Sequence, residues 1–166
     1  MTRRSQRDSW SAEDLFRDAE LREERGDFRG AFKSLLIAAQ KGDLLSSLNL
    51  GNYYAVGHGV RKNSREAARW YKRAYRLGNS DGALNLSVDL ENQGNTRGAV
   101  AWLKRAVAMN DGEAHVRLAK IYLKKRNGTE AASHLLKQAI SLSPSYISDD
   151  GRDEANKLLN KITRRK

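Results

Sequence analysis

The sequence arranges many of its cationic side chains in rows at helical spacing. One row is formed by Arg65, Arg69, Lys72 and Arg76, and another by Arg117, Lys120 and Lys124. Residues three and four apart lie on the same face of a helix, so each row predicts a continuous cationic stripe. Such a stripe can hold carboxylates or phosphates through charge-assisted hydrogen bonds. The chemistry that these residues predict is binding.

Residue patterns for catalysis are absent from the sequence. It contains no phosphate-binding glycine loop, no nucleophile elbow and no cluster of metal ligands. The three histidines, His58, His115 and His134, lie far apart and have no carboxylate at the spacing of a triad or a metal site. We therefore interpret them as surface or packing residues. The sequence predicts no enzyme activity, no cofactor and no metal.

The composition is that of a basic helical protein. The chain has 166 residues, one proline, no cysteine and a net charge of +11. Residues 1–42 are nearly balanced, whereas residues 43–166 carry 22 Lys and Arg against 12 Asp and Glu. A solvated surface, an acidic protein partner and nucleic acid are all compatible with this excess. The polar start of the chain and the missing cysteines favour a cytoplasmic location, and no stretch is apolar enough to predict a membrane span.

Two predicted helices joined by a glycine-rich turn occupy residues 46–79. Apolar residues recur at helical spacing on both sides of Gly57-His58-Gly59-Val60, which breaks the periodicity. Gly78 follows the second helix, where a left-handed cap favours glycine. One helical hairpin cannot bury both of its apolar faces, so this unit requires neighbours of the same kind.

The same residues carry a resemblance to a known repeat. The pattern L-G-x-x-Y, G-x-G-V, A-x-x-W-Y-x-x-A and G resembles the Sel-like repeat (SLR), a longer-looped relative of the tetratricopeptide repeat. Its positions here are Leu50, Gly51, Tyr54, Gly57, Gly59, Val60, Ala67, Trp70, Tyr71, Ala74 and Gly78. The resemblance implies a non-catalytic α-solenoid that binds other macromolecules. It is close in this unit and looser elsewhere.

Two alanines seven residues apart recur in each predicted second helix, with a nearly constant period along the chain. The second-helix alanines are Ala31, Ala67, Ala99 and Ala132, each followed seven residues later by Ala38, Ala74, Ala106 and Ala139. We therefore predict an all-α, right-handed solenoid of four helical hairpins over residues 11–42, 43–79, 80–112 and 113–144. A polar tail over residues 1–10 precedes them, and a linker with a capping helix follows over residues 145–166. Trp70, Trp102 and Tyr71 are predicted to lie in the core, and the chain is predicted to be an elongated monomer.

The first helix of each hairpin lines the concave groove in solenoids of this kind. The predicted partner-binding residues there are Asn49, Asn52, Asn85, Arg117, Lys120 and Lys124. Three of them, Asn52, Asn85 and Arg117, also match positions of the carboxylate clamp of some tetratricopeptide domains. Leu48 and Glu113 replace the two clamp lysines, which argues against a true clamp.

The sequence leaves more than one binding function open. Our main hypothesis is a protein-binding module, either an adaptor or a bacterial immunity-type protein, that binds an acidic protein or peptide through the groove. The alternative surface is the convex row of Arg65, Arg69, Lys72 and Arg76. The alternative function is a basic solenoid that binds nucleic acid.

Overall fold

The computed structural model describes residues 9–164. Over this range the chain forms nine α-helices and no strand. The helices are α1 (Ala12–Glu24), α2 (Phe28–Gln40), α3 (Leu44–Val56), α4 (Ser64–Arg76), α5 (Ser80–Asn92), α6 (Thr96–Val107), α7 (Gly112–Leu123), α8 (Thr129–Ser141) and α9 (Asp149–Thr163). Within each unit, neighbouring helices joined by short turns pack against each other, as in α1 with α2, α3 with α4 and α7 with α8. The predicted all-α solenoid of helical hairpins is confirmed. No helix among residues 9–164 is long and apolar enough to cross a membrane.

Most turns between consecutive helices use one two-residue device. After α2, the N–H of Gly42 donates to the carbonyl of Ala39, and the N–H of Asp43 donates to that of Ala38 at 3.1 Å. This is the Schellman pattern, and it requires the positive φ of +97° at Gly42. The side chain of Asp43 then accepts from the N–H of Ser46 and caps α3. One residue thus ends a helix and begins the next, and the arrangement recurs at residues 26–27, 78–79, 94–95 and 110–111.

The first helix begins with a capping box. The Ser11 hydroxyl accepts from the N–H of Asp14, and the Asp14 carboxylate accepts from the N–H of Ser11, which completes a capping box. The Ser11 hydroxyl also donates to Oδ2 of Asp14 at 2.6 Å. This bond, and after it the bond from the Ser11 N–H, lowers the pKa of Asp14 from its ordinary value.

The turn between α3 and α4 is longer and packs against α2. Gly57 ends α3 in the left-handed region with a φ of +96°, and Gly59 has a φ of +61°. A Cβ atom at Gly59 would lie 2.3 Å from the carbonyl oxygen of Phe28, so only glycine allows this approach. The His58 ring stacks on Phe28 with 4.9 Å between ring centroids. This agrees with the interpretation of His58 as a packing residue.

The core is built around small side chains. All eight recurring alanines of the predicted second helices are fully buried. In the first helices the equivalent role falls to residues such as Gly51, where a Cβ atom would lie 2.4 Å from the ring of Tyr71. Gly82 on α5 similarly sits against the main chain of Tyr71 and Tyr75 on α4. Because small residues occupy these contacts, the helices approach closely and Leu and Tyr side chains fill the spaces between them.

The described part of the chain forms two compact units, which divide between Asp89 and Leu90. The core of the first unit gathers Ala19, Ala31, Leu35, Ala39, Leu50 and Tyr53. In the second unit α9 packs against α7 and α8. The guanidinium of Arg152 donates to the carbonyl of Leu142 at 2.8 Å and so caps the end of α8.

The structure refines two details of the sequence interpretation. Trp70 and Trp102 are half-buried, and Trp70 packs against the core cluster of the first unit. Each ring faces a guanidinium, that of Arg73 at 5.8 Å and that of Arg105 at 4.6 Å from the ring centroid. The segment 145–150 is more than a polar linker. Its Ile147 is only 3% exposed because it packs onto Gly112 at the start of α7.

Candidate partner-binding surfaces

The row of cations on α4 forms a stripe that faces solvent. Arg65, Arg69, Lys72 and Arg76 are all exposed, because the opposite stripe of α4 is buried through Ala67, Tyr71 and Ala74. Glu66 contacts the row, and both of its carboxylate oxygens accept from Nη1 of Arg69, at 2.8 and 2.9 Å. The Arg69 side chain remains 72% exposed. The stripe is therefore accessible to a partner from solvent.

Arg73 lies beside this row but has a structural role. Its Nη2 donates to the carbonyl of Ala39 at 2.9 Å and so caps the end of α2, while its guanidinium lies over Trp70. A cation at a helix C-terminus is favoured by the helix dipole. Arg73 is therefore committed to the fold.

The predicted asparagines lie in the first unit, and two of them contact each other. Oδ1 of Asn52 accepts from the hydroxyl of Tyr71 at 2.9 Å and from Nδ2 of Asn85 at 3.2 Å. Burial and the charge of Asp89 raise the pKa of Tyr71 to about 12, so its hydroxyl stays protonated as a donor. Asn49 lies on α3 three residues before Asn52 and is half-buried.

The predicted cations Arg117, Lys120 and Lys124 lie in the second unit on α7. Nη2 of Arg117 donates to Oε2 of Glu91 at 2.9 Å, and Nζ of Lys120 contacts Oε1 of Glu154 at 2.6 Å. Both cations keep 40% or more of their side chains exposed. Lys124 is the C-cap residue of α7 and is exposed. The row is thus a surface that already binds carboxylates of its own chain.

Glu113, which replaces a clamp lysine, serves the fold. Its Oε1 accepts from the hydroxyl of Ser148, and a Cβ atom at Gly151 would collide with its carboxylate. The carboxylate therefore lies at the N-terminus of α9, where the helix dipole favours a negative charge. The position of one lysine of the carboxylate clamp is therefore occupied by an anion that stabilises α9.

The remaining histidines do not assemble a reactive site. His115 is buried, with Nδ1 at 2.7 Å from the carbonyl of Asp111, and His134 is exposed on α8. No group of three His, Cys, Asp or Glu within residues 9–164 could hold a metal ion.

Comparison with known families identifies the repeat. The model of the Sel1 repeat matches residues 45–79 and residues 91–111. These two segments place Sel1 repeats in about a third of the chain. The first match contains the whole glycine-rich turn and Trp70, and the second contains Trp102. The predicted resemblance to the SLR family is therefore confirmed. Sel1-repeat proteins are in general non-catalytic modules of protein–protein interaction.

Solved structures of other proteins share the fold of this chain. A Sel1 repeat protein from Oxalobacter formigenes matches 91% of the chain with a TM-score of 0.71 and 22% identity. A protective antigen of uropathogenic Escherichia coli strains that displays an SLR fold matches 93% with a TM-score of 0.72 and 19% identity. The Sel1-repeat chain spans 63% of the first protein and 34% of the second. MamA matches 92% of the chain, which spans 90% of that protein, with a TM-score of 0.58 and 20% identity. No curated protein matches the sequence.

Sequence reasoning missed the partners of the predicted cations. Glu154 lies on the predicted capping helix, but its approach to Lys120 depends on which face of α9 packs onto α7. Glu91 lies on the predicted first helix of the third hairpin, and its pairing to Arg117 joins the first helices of two successive hairpins. What the sequence offered was opposite charge, since both carboxylates lie on predicted helices and could pair with a cation of the row.

Proposed function

We propose that this Sel1-repeat chain is a non-catalytic protein-binding module, an adaptor or an immunity-type protein, for an acidic partner. The proposed surface is the first-helix face that carries Asn49, Asn52, Asn85, Arg117, Lys120 and Lys124. We further propose that the chain acts as a monomer in the cytoplasm. Membership of a repeat family of protein-binding modules supports the first statement. The excess of positive charge in residues 43–166 supports an acidic partner.

One observation carries the choice of surface. Arg117 and Lys120, on one face of α7, are each held by a carboxylate at hydrogen-bond distance and remain partly exposed. The Lys120–Glu154 pair, in which both side chains are more than 40% exposed, is of the exposed kind that contributes about 0–1 kcal/mol to folding, so a partner carboxylate can replace Glu154 at small cost. The surface thereby resembles a carboxylate-binding site occupied by its own chain.

If a partner carboxylate replaces an internal one, removing the internal carboxylate should strengthen binding of the partner. Glu91→Gln and Glu154→Gln each release a cation, so both variants should bind an acidic protein segment more tightly than the parent. The probe is a fluorescently labelled peptide rich in Asp and Glu, titrated with the full chain and followed by anisotropy. Glu130→Gln is the matched control, because it makes the same charge change at an exposed position of α8. Tighter binding only in the control, or equal gains in all three, would overturn the surface assignment.

Charge reversal supplies the complementary test. Arg117→Glu combined with Lys124→Glu should weaken binding of the same peptide by about 2–5 kcal/mol if the contacts exclude water, and far less if they lie at a rim. A single-stranded oligonucleotide tested across a salt series examines the alternative function. Binding that is tight at low salt and falls steeply with added salt, with no binding of the acidic peptide, would identify a nucleic-acid-binding protein instead.

A further inference from the structure

The outer row of α4 has a geometry that solubility does not require. An α-helix has 3.6 residues per turn and rises 1.5 Å per residue, so positions 65, 69, 72 and 76 form a nearly straight line about 16 Å long. All four side chains are exposed along this line. Arg61 and Lys62, also exposed in the preceding turn, continue the positive charge beyond the N-terminus of the helix.

The row places like charges at the positions where they repel each other most. Arg65 and Arg69 are four residues apart, Arg69 and Lys72 three, and Lys72 and Arg76 four. Each such like-charge pair destabilises a helix by about 0.2–0.5 kcal/mol. Glu66 relieves part of this repulsion by contacting Arg69. A partner that supplies several carboxylates along the line would relieve it at several steps together.

No other second helix carries this row. Counting from the repeat alanines, the positions equivalent to Arg65, Arg69, Lys72 and Arg76 contain the following residues in the other three repeats: Arg29, Lys33, Leu36 and Gln40 in α2; Arg97, Ala101, Lys104 and Ala108 in α6 and its C-cap; and Glu130, His134, Lys137 and Ser141 in α8. In each of the other three second helices, these four positions carry at most half of the positive charge of the row on α4, and the repeat still folds. The full row belongs to α4 alone among these helices and is not a requirement of the repeat.

We propose that this row is a second binding surface, and that it docks an acidic α-helix of a partner protein. A helix laid alongside α4 at a small crossing angle presents side chains at the same spacing of i, i+4, i+7 and i+11. Four carboxylates in that register would each meet one cation, and three of these cations are guanidinium groups suited to a carboxylate. Within α4 itself, the Glu66 carboxylate already accepts from Nη1 of Arg69, so a side chain of the row can bind a carboxylate while it stays largely exposed. The inference does not depend on the first-helix surface.

A pair of helical peptides tests the register. Both have the same composition, but one places Glu at i, i+4, i+7 and i+11, and the other distributes the same Glu residues around the helix. Circular dichroism confirms equal helicity, and anisotropy with the full chain measures affinity. The aligned peptide should bind at least about tenfold more tightly, a difference of about 1.4 kcal/mol. Equal binding of the two peptides would overturn the proposal.

Matched variants locate the site. Arg65→Glu combined with Arg76→Glu should abolish binding of the aligned peptide. Arg97→Glu combined with Lys104→Glu makes the same change in net charge on α6, at the positions equivalent to Arg65 and Lys72, and should preserve it. Arg117→Glu combined with Lys124→Glu should also preserve it, which separates this surface from the one proposed above. If the α4 variant unfolds, Arg65→Gln with Arg76→Gln replaces it, and retained binding in that folded variant would overturn the proposal.

A nucleic-acid probe tests the other kind of polyanion that a cationic row could bind. A single-stranded oligonucleotide that binds the parent more tightly than the aligned peptide at equal salt, and loses binding in the α4 variant, would replace the acidic helix as the occupant. The expected result is weak oligonucleotide binding, because α4 places no exposed aromatic side chain among the cations of the row.

Discussion

Gly59→Ala should destabilise the first unit, mainly because the added Cβ atom would clash with the main chain of Phe28. Its Cβ atom would lie 2.3 Å from the carbonyl oxygen and 2.4 Å from the carbonyl carbon of Phe28, and both are main-chain atoms that cannot rotate away. Overpacking of this kind costs about 1–3 kcal/mol. Placing alanine in the left-handed region adds about 1–2 kcal/mol. We therefore expect a total loss of about 2–5 kcal/mol in the free energy of unfolding.

Gly78→Ala is the control that isolates the steric part. Gly78 has a φ of +99°, and a Cβ atom added there would have no neighbouring atom within 4 Å, so its substitution costs only the backbone strain. The φ of Gly59, +61°, is nearer to the left-handed minimum, so its strain is no larger than that of Gly78. Urea unfolding followed by circular dichroism measures both variants. If Gly59→Ala is less than about 1 kcal/mol below Gly78→Ala, the loop does not pack on α2 as described.

Three further results are expected. Ile147→Ala should lower the free energy of unfolding by about 2–4 kcal/mol in urea titrations, because the side chain is buried against Gly112, whereas Tyr146→Ala, at an exposed position, should have little effect. Above pH 10 the unfolded chain releases the proton of Tyr71 while the folded chain keeps it up to about pH 12, so stability should fall across this interval, and less steeply in Tyr71→Phe. Trp70→Ala should cost about 1–3 kcal/mol in the same titrations, less than the full loss of a buried tryptophan, because its ring is half-buried; a loss above about 4 kcal/mol would contradict that exposure.

Local residue choices explain why the fold was predictable from sequence. The paired signals of Gly42 with Asp43 and Gly78 with Asn79 act within a few residues, since the glycine supplies a positive φ and the polar side chain caps the next helix. At Asn110 the same left-handed position is filled by asparagine, with a φ of +62°, which weakens the glycine signal without changing the turn. The alanine period adds the packing register. None of these features requires knowledge of distant contacts.

The surface chemistry was less predictable because it depends on distant pairs. The helical period places Arg117 and Lys120 on one face, but their carboxylate partners are 26 and 34 residues away. Likewise, the burial of Ile147 follows from the packing of residues 145–150 onto α7, which no local pattern encodes. The same period predicts Trp70 in the core. In the structure its ring is half-buried: one part packs against the core cluster, and the guanidinium of Arg73, which caps α2, lies 5.8 Å from the ring centroid.

The division between small packing residues and long surface cations bears on how these surfaces can be studied. Alanine, glycine and serine occupy the closest helix contacts, and their burial does not involve the rows on α4 and α7. Side chains such as Arg65 and Lys124 project into solvent, where substitutions usually change stability by no more than about 0.5 kcal/mol. Arg73 and Arg152 are the counterexamples, because their guanidinium groups cap other helices. Loss of binding after substitution of these exposed side chains therefore reports on recognition, whereas loss of binding after substitution of a capping arginine reports on folding.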